Sequence, residues 1–265
     1  MANKSSDKKA KKQSHGESST NQKMTFYGDM EYWDERYLKS GDVTRFDWYL
    51  RYSAFKPTVM EALGLLKKTS DSKEEEEKEE ARDEGVKAEA LSASPNSTDT
   101  ESKQPLVESE DSAKRKASLR VLVVGCGNSA LSEDLYKDGF INSVSIDYSE
   151  VVIGQMQKVY KKSIPDLRFE TMDVRDMKFA KDTFFDVIFD KGTLDTLLCG
   201  GEDTARNARM MLFHIHKVMK AGSVFFIITY GTPDTRLHYL QSSRFKWNIK
   251  HSQIGKRYIY TMTKR

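Results

Sequence analysis

The sequence predicts an α/β domain in which helices cover both faces of a mostly parallel sheet. The apolar run 121–124 is typical of a buried strand, and Gly125 and Gly127 end it before a helix-forming stretch. A second apolar run ends at Asp147. The chain closes with two strand-like runs around Gly255, which predict an antiparallel hairpin.

Residues 1–23 form a polar, basic segment that predicts a disordered tail. Lysine clusters of this kind also occur in nuclear-localisation and nucleic-acid-binding segments. A solvated tail is the favoured interpretation, because charge runs of this kind are usually solvated.

Residues 24–66 are rich in aromatic side chains. Trp33 and Tyr37 lie four positions apart and share one face of a helix. Together with Trp48 they predict a lid over a ligand pocket, and the alternative is simple packing on the sheet. A second helix is expected from Tyr52 to Leu66, with one apolar stripe.

Residues 67–118 predict a disordered acidic insertion, because they contain hardly any aromatic or branched side chains. Between positions 69 and 112 there are 15 acidic and 5 basic residues, a balance of −10. The total charge is +3, so the rest of the chain carries +13. This basic remainder favours a partner with an acidic surface.

Residues 119–265 alternate between strand and helix patterns. Further elements are expected at 150–162 (helix), 167–171 (strand), 185–189 (strand), 207–219 (helix), 223–229 (strand), 244–252 (strand) and 256–263 (strand). Residues 220–222 are expected to stop the second of these helices.

The glycine turn after the first strand indicates a nucleotide-like ligand, since glycine permits a tight turn and close backbone approach. Asp147 follows Gly127 by 20 residues, the spacing at which a carboxylate reaches ribose hydroxyls. Ala130 stands where a dinucleotide-binding turn has a third glycine. A ligand with a ribose and no phosphate, such as S-adenosylmethionine, does not need that glycine. A plain strand–helix connection is the alternative.

The composition is that of a water-soluble protein, with 31% charged residues and a mean hydropathy of −0.66. No apolar run reaches membrane-spanning length. Two cysteines, Cys126 and Cys199, provide no disulfide framework, and the first residues do not resemble a signal peptide. A cytoplasmic location is therefore expected.

A family resemblance rests on six stretches: 32–37, 46–48, 121–132, 144–149, 170–175 and 185–195. They resemble the seven-β-strand S-adenosylmethionine-dependent methyltransferases, and among them the methyltransferase-like-13 and elongation factor 1-alpha lysine methyltransferase group. The resemblance implies a Rossmann-like, seven-strand class I methyltransferase sheet with a C-terminal antiparallel hairpin. It covers the folded chain and omits the tail and the insertion.

The resemblance implies S-adenosylmethionine as the cofactor and assigns roles to ten residues. Gly125 and Gly127 would lie against its methionine end, and Asp147 would accept hydrogen bonds from the ribose. The adenine would be contacted by Tyr148, Asp173 and Val174. The pocket would be closed by Trp33, Tyr37 and Trp48, and Lys191 would touch the cofactor.

Two acidic or basic positions carry alternatives. Lys191 could instead form an ion pair with Asp190 or Asp195. Asp195 is a weak candidate for a substrate-side residue, and a capping role is an equal alternative.

The resemblance implies methyl transfer to a lysine of a folded protein, elongation factor 1-alpha in this group. Orientation of the amine, methyl and sulfur would supply most of the catalysis. An apolar aromatic mouth would lower the pKa of the acceptor lysine, so no dedicated base is required. His214 and His216 have structural roles as their favoured interpretation, and no metal site is predicted.

Three alternatives stay open. An RNA methyltransferase suits the basic charge, but the fourth strand ends in Asp-Lys-Gly-Thr instead of the Asn/Asp-Pro-Pro-aromatic element of adenine-modifying enzymes. A small-molecule methyltransferase and a cofactor-binding scaffold without turnover are the others.

Overall fold

The computed structural model of the protein describes residues 27–39, 45–66, 109–199 and 203–265. The predicted tail at 1–23 and residues 67–108 of the predicted insertion lie outside these ranges.

The described part contains helices that flank one sheet of seven strands. The helices are α1 (Met30–Lys39), α2 (Tyr52–Ala62), α3 (Glu110–Ser118), α4 (Leu131–Lys137), α5 (Glu150–Tyr160), α6 (Thr193–Leu198), α7 (Thr204–Lys217) and α8 (Pro233–Leu240). The strands are β1 (Val121–Val124), β2 (Ser143–Asp147), β3 (Arg168–Thr171), β4 (Phe185–Lys191), β5 (Met219–Thr229), β6 (Trp247–Ile254) and β7 (Arg257–Lys264).

The sheet has the strand order β3-β2-β1-β4-β5-β7-β6. Strands β1 to β5 are parallel, and β7 is antiparallel to β5 and β6. Val124 lies opposite Ile146 of β2 and Asp190 of β4. The last residue of β5, Thr229, lies opposite Tyr258 near the start of β7. The carboxyl ends of the parallel strands and the β6–β7 turn therefore share one edge. This order confirms the predicted Rossmann-like sheet and its C-terminal hairpin.

Strand β1 lies at the centre of the core, and all four of its residues are buried. Val121 and Val123 pack with α2, α4 and α5 on one face of the sheet. Leu122 and Val124 pack with α6, α7 and α8 on the other. Successive side chains of a strand point to opposite faces of the sheet, so a parallel strand that is covered on both faces has apolar residues throughout.

The predicted boundary between the last long helix and β5 is wrong. Helix α7 ends at Lys217, and residues 220–222 belong to β5. Met219 already pairs with Phe185, after which the register shifts. Gly222 has φ +82°, so it permits a bulge in the strand instead of ending the helix.

The predicted insertion at 67–118 extends too far at its carboxyl end, because residues 110–118 form α3. The Ser109 side chain caps this helix by accepting a hydrogen bond from the Ser112 amide. Lys116 is buried and forms an ion pair of 3.1 Å with Asp138. The acidic composition of the segment concealed this short helix, which the buried lysine attaches to the domain.

Helix α2 ends earlier than predicted. It stops at Ala62, and Gly64 follows with φ +61°, the left-handed conformation that commonly ends a helix. Leu66, predicted on the apolar stripe, is exposed. Within the ranges given above, none of the helices has the length and apolar character needed to cross a membrane.

Candidate functional site

A cavity of about 260 Å³ opens at the carboxyl edge of the sheet, where the strand order reverses between β1 and β4. Ligands bind at such a switch point in open α/β sheets. All ten residues that the sequence predicts as cofactor-binding line this cavity: Trp33, Tyr37, Trp48, Gly125, Gly127, Asp147, Tyr148, Asp173, Val174 and Lys191.

The turn after β1 requires both of its glycines. Gly125 and Gly127 have φ +55° and +49°, in the left-handed region that side chains rarely adopt. A Cβ atom on Gly125 would overlap Thr193, and one on Gly127 would lie 2.9 Å from the Tyr37 hydroxyl. The absence of Cβ atoms therefore lets Thr193 and Tyr37 pack directly against the turn.

Asp147 is the buried carboxylate of the site, with a relative exposure of 5%. Its Oδ2 accepts a hydrogen bond of 2.9 Å from the Gly127 amide, and its Oδ1 accepts one of 3.0 Å from the Ser149 amide. Burial raises the pKa of Asp147 to about 6, although the backbone hydrogen bonds oppose this rise. These bonds aim the carboxylate at the cavity and fix its orientation.

The Asp147 side of the cavity also holds the residues predicted to contact adenine. Val174 is buried, and Tyr148 is half-buried. Asp173 forms a two-point ion pair with Arg175, with 2.7 Å between Nη2 and Oδ2. The sequence analysis missed Arg175, although its position two residues after Asp173 was a usable signal. The predicted hydrogen bond to an adenine amino group would share the carboxylate with this arginine.

The aromatic residues of the segment 27–49 form a block, called the N-terminal aromatic block below, that both closes the cavity and belongs to the core. Trp33 and Tyr37 are buried, with relative exposures of 7% and 5%, and their ring centroids lie 5.9 Å apart. Trp48 is half-buried and meets Trp33 edge-on at 6.1 Å. The side chain of Gln155 on α5 donates a hydrogen bond of 3.1 Å to the Tyr37 carbonyl, which attaches α1 to the domain. Packing and cavity closure coincide at these rings.

Lys191 is buried and forms an ion pair with Asp47, whose Oδ1 lies 3.1 Å from Nζ. Neither of the alternative partners, Asp190 and Asp195, is the one observed. Lys191 Nζ also donates a hydrogen bond of 3.0 Å to the Trp48 carbonyl. Burial lowers the pKa of Lys191, and Asp47 partly opposes this. The pair fastens the aromatic block to β4.

The two other aspartates of the strand-four motif have structural contacts. Asp190 is fully buried and accepts hydrogen bonds of 2.7 Å and 3.1 Å from the Thr193 and Leu194 amides. Its burial raises its pKa to about 7. Asp195 accepts hydrogen bonds from four groups: the Tyr49 hydroxyl, the Thr229 hydroxyl, the Tyr230 amide and the Arg236 guanidinium. Both carboxylates are committed to the fold, which disfavours Asp195 as a base.

Further residues that were not predicted from the sequence line the cavity on the β4–β5 side, among them two tyrosines. Tyr49 lies in the aromatic block, and Tyr230 directly follows β5. His214 and His216 are on α7 and do not line the cavity. Across the described ranges, no three His, Cys, Asp or Glu side chains come together in a way that could hold a metal ion.

A family model described as a methyltransferase domain matches residues 115–265. EEF1A lysine methyltransferase 4 of Mus musculus is 29% identical over 233 residues, which covers 85% of this chain and 70% of that protein. The eEF1A lysine and N-terminal methyltransferase of Homo sapiens is 38% identical over 142 residues, covering 51% of this chain and 20% of that protein.

Solved structures are also similar. Magnesium protoporphyrin IX methyltransferase (ChlM) from Synechocystis PCC 6803 with bound SAM shares 15% identity. The match covers 57% of this chain and 73% of that protein's chain, with a TM-score of 0.45.

Proposed function

The chain belongs to the family of S-adenosylmethionine-dependent methyltransferases, and we propose that it methylates a lysine side chain of a protein, elongation factor 1-alpha. The observation that carries this proposal is one cavity with two different halves. A buried carboxylate and a glycine turn stand on the β1–β2 side, and two tyrosines stand on the β4–β5 side. The similarity to lysine methyltransferases supports a lysine acceptor.

The residues of the cavity fit the cofactor. Asp147 offers carboxylate oxygens that two backbone amides already orient, which suits the hydroxyl donors of a ribose. The glycine turn lines the same cavity at Gly125 and Gly127. Held between Asp147 and the glycine turn, the cofactor would supply an electrophilic methyl group to the acceptor amine.

The chain's own part in the chemistry is to orient the reactants and exclude water. Trp33 and Tyr37 close one wall of the cavity and are nearly inaccessible to solvent. A free lysine has a pKa of about 10.4, and an apolar mouth disfavours its charged form. The acceptor can therefore lose its proton to water before transfer. Asp195 is not needed as a base, since four donors already occupy it.

The charge distribution supports an acidic protein as the partner. Residues 235–265 contain eight Lys or Arg and no Asp or Glu. They include the β6–β7 hairpin, whose turn lies at the edge of the sheet where the cavity opens. Lys256 and Arg257 stand at this turn, whereas Lys246, Lys264 and Arg265 lie at the opposite end of the hairpin. A basic surface at this turn would steer an acidic face towards the acceptor half.

We also propose a cytoplasmic location, which two free cysteines support. RNA is the competing acceptor, because the same basic surface would suit phosphates.

The test is transfer of labelled methyl from S-adenosylmethionine into purified elongation factor 1-alpha, and into a cell lysate separated into protein and RNA. We expect label in lysine of the factor, and much less at a limiting cofactor concentration with the Asp147→Ala variant as control. Label confined to RNA, or no transfer by a protein that binds the cofactor, would contradict the proposal.

A further inference from the structure

The β4–β5 side of the cavity ends in a pair of tyrosines. The rings of Tyr49 and Tyr230 meet edge-on, with centroids 4.7 Å apart and an interplanar angle of 89°. Both line the same cavity as Asp147, but from the opposite side of β1 in the sheet. Tyr230 remains 51% exposed, although it lines a cavity. The pair therefore stands where the cavity meets solvent.

The backbone holds Tyr49 in place at a conformational cost. Tyr49 has φ +69°, and in the described ranges it is the only residue other than glycine with a positive φ. Such conformations persist where the surroundings enforce them, and they cluster at ligand-binding positions. Here the enforcing contact is a hydrogen bond of 2.7 Å from the Tyr49 hydroxyl to Asp195. The same carboxylate accepts a hydrogen bond of 3.0 Å from the Tyr230 amide. One buried aspartate thus holds the Tyr49 hydroxyl and the backbone of Tyr230.

The pair already binds a cation within the chain. The guanidinium carbon of Arg257 lies 3.3 Å from the centroid of the Tyr230 ring and 5.4 Å from that of Tyr49. Arg257 does not line the cavity, whereas both tyrosines do. It therefore covers Tyr230 from outside, and ring surface remains available from within the cavity. Aromatic faces attract ammonium groups as well as guanidinium groups.

We propose that Tyr49 and Tyr230 form the binding site for the alkylammonium side chain of the acceptor, and that Arg257 braces this site from outside. This inference rests on the proposed function and adds the residues that receive the acceptor. The rings would hold the aliphatic stem and the terminal nitrogen of the lysine at the entrance to the cavity. Asp195 acts through the two rings and is a positioning residue.

Arg257 has a second consequence for the acceptor. A guanidinium beside the site disfavours a second positive charge there, so it lowers the pKa of the bound amine. The opposing charge of Asp195 is offset by its ion pair with Arg236, with 2.8 Å between the two. The charged and titratable groups next to the tyrosine pair are Asp190 and Lys191 of β4, Asp195 and Cys199 at α6, Arg236 of α8, and Arg257 of β7.

The experiment compares Tyr230→Ala and Tyr230→Phe with Phe213→Ala, an equally exposed aromatic residue on α7 that does not line the cavity. A thermal melt first establishes that each variant folds. S-adenosylhomocysteine affinity is then measured by calorimetry, and methylation of elongation factor 1-alpha by kcat/KM. A non-reacting probe, butyltrimethylammonium, is titrated into the S-adenosylhomocysteine complex and followed by NMR.

We expect Tyr230→Ala to bind S-adenosylhomocysteine within about twofold of wild type and to lose about tenfold in kcat/KM for the protein, since a partly desolvated cation–π contact has that size. Its affinity for the probe should fall at least fivefold. Tyr230→Phe keeps the ring, so it should stay within threefold in both assays, as should Phe213→Ala. Arg257→Gln should move the acidic limb of the kcat/KM profile to higher pH, because the acceptor amine regains a higher pKa.

Unchanged methylation and unchanged probe binding in a folded Tyr230→Ala variant would overturn the inference and leave the proposed function standing. Wild-type transfer into RNA alone would instead overturn the proposed function and the lysine assignment. An equal loss of S-adenosylhomocysteine affinity in Tyr230→Ala would overturn the inference in a third way, because the ring would then belong to the cofactor half.

Discussion

Replacing Asp147 by asparagine should strongly lower cofactor affinity and change the stability of the protein only slightly. The pKa of this carboxyl rises from 3.8 to about 6 because it is buried, so its ionised form costs folding free energy. The raised pKa contributes stability that is fully present below pH 4 and is lost as the pH rises through about 6. The full difference is about 3 kcal/mol at 1.36 kcal/mol per pH unit. At neutral pH the chain without ligand bears this cost.

Asparagine removes the charge but keeps only one acceptor oxygen. The carboxylate gives one oxygen to the Gly127 amide and the other to the Ser149 amide. The new amide group would therefore face one of these donors, at a cost of about 1–3 kcal/mol. Relief and cost nearly cancel, so the free energy of unfolding of the ligand-free protein at pH 7 should change by less than about 2 kcal/mol. Between pH 5 and pH 8, wild type should lose about 1 kcal/mol more than Asp147→Asn, because pH 5 lies about one unit below the folded pKa.

Cofactor affinity should respond far more strongly. Loss of hydrogen bonds to a charged group costs about 1.5–3 kcal/mol, which is a fall in affinity of roughly 10- to 150-fold. Calorimetry with S-adenosylhomocysteine measures this, and urea unfolding measures stability. Asp166→Asn, at an exposed position, is the matched control and should change neither. An Asp147→Asn variant with wild-type affinity, or tight binding of NAD by wild type, would refute the assignment of this carboxylate to the ribose of S-adenosylmethionine.

Three further outcomes are expected. Replacing residues 70–108 by a short Gly/Ser linker should leave the melting temperature nearly unchanged, since closure entropy varies slowly with loop length. Extending the deletion through Ser112 removes the cap of α3, so it should lower the free energy of unfolding by about 1 kcal/mol or more. Trp33→Ala should lower the free energy of unfolding by about 3–5 kcal/mol, whereas half-buried Trp48→Ala should remain folded and lose cofactor affinity in calorimetry. Lys191→Met leaves the Asp47 carboxylate without its buried partner, so it should weaken both stability and cofactor binding. An unchanged melting temperature would contradict this expectation.

The sequence was sufficient for those parts of the site that follow from local pattern. A strand, two glycines and a helix specify the turn at Gly125 and Gly127, because only glycine accepts these backbone angles. The spacing to Asp147 follows from the length of one strand–helix–strand unit. The terminal hairpin is likewise a local feature around Gly255. These predictions needed only neighbours in the chain.

The parts that were missed depend on contacts between distant segments. Asp47 and Lys191 are 144 positions apart, and Tyr49 and Asp195 are 146 apart. No periodicity or spacing rule links such pairs, because the fold alone brings them together. The sequence therefore offered local partners for Lys191, namely Asp190 and Asp195, and the structure replaces them with one from the N-terminal block.

Aspartates at strand ends show why pattern alone could not separate binding from structure. Asp147 ends β2 and Asp190 lies near the end of β4, and both accept hydrogen bonds from the backbone that follows β1 or β4. Burial raises the pKa of both. In sequence they are equivalent, each an acidic residue after an apolar run. Only Asp147 lines the cavity, because Asp190 is turned under the start of α6 to hold the Thr193 amide. Both carboxylates therefore stabilise a turn, but only the one at the end of β2 also faces the cavity.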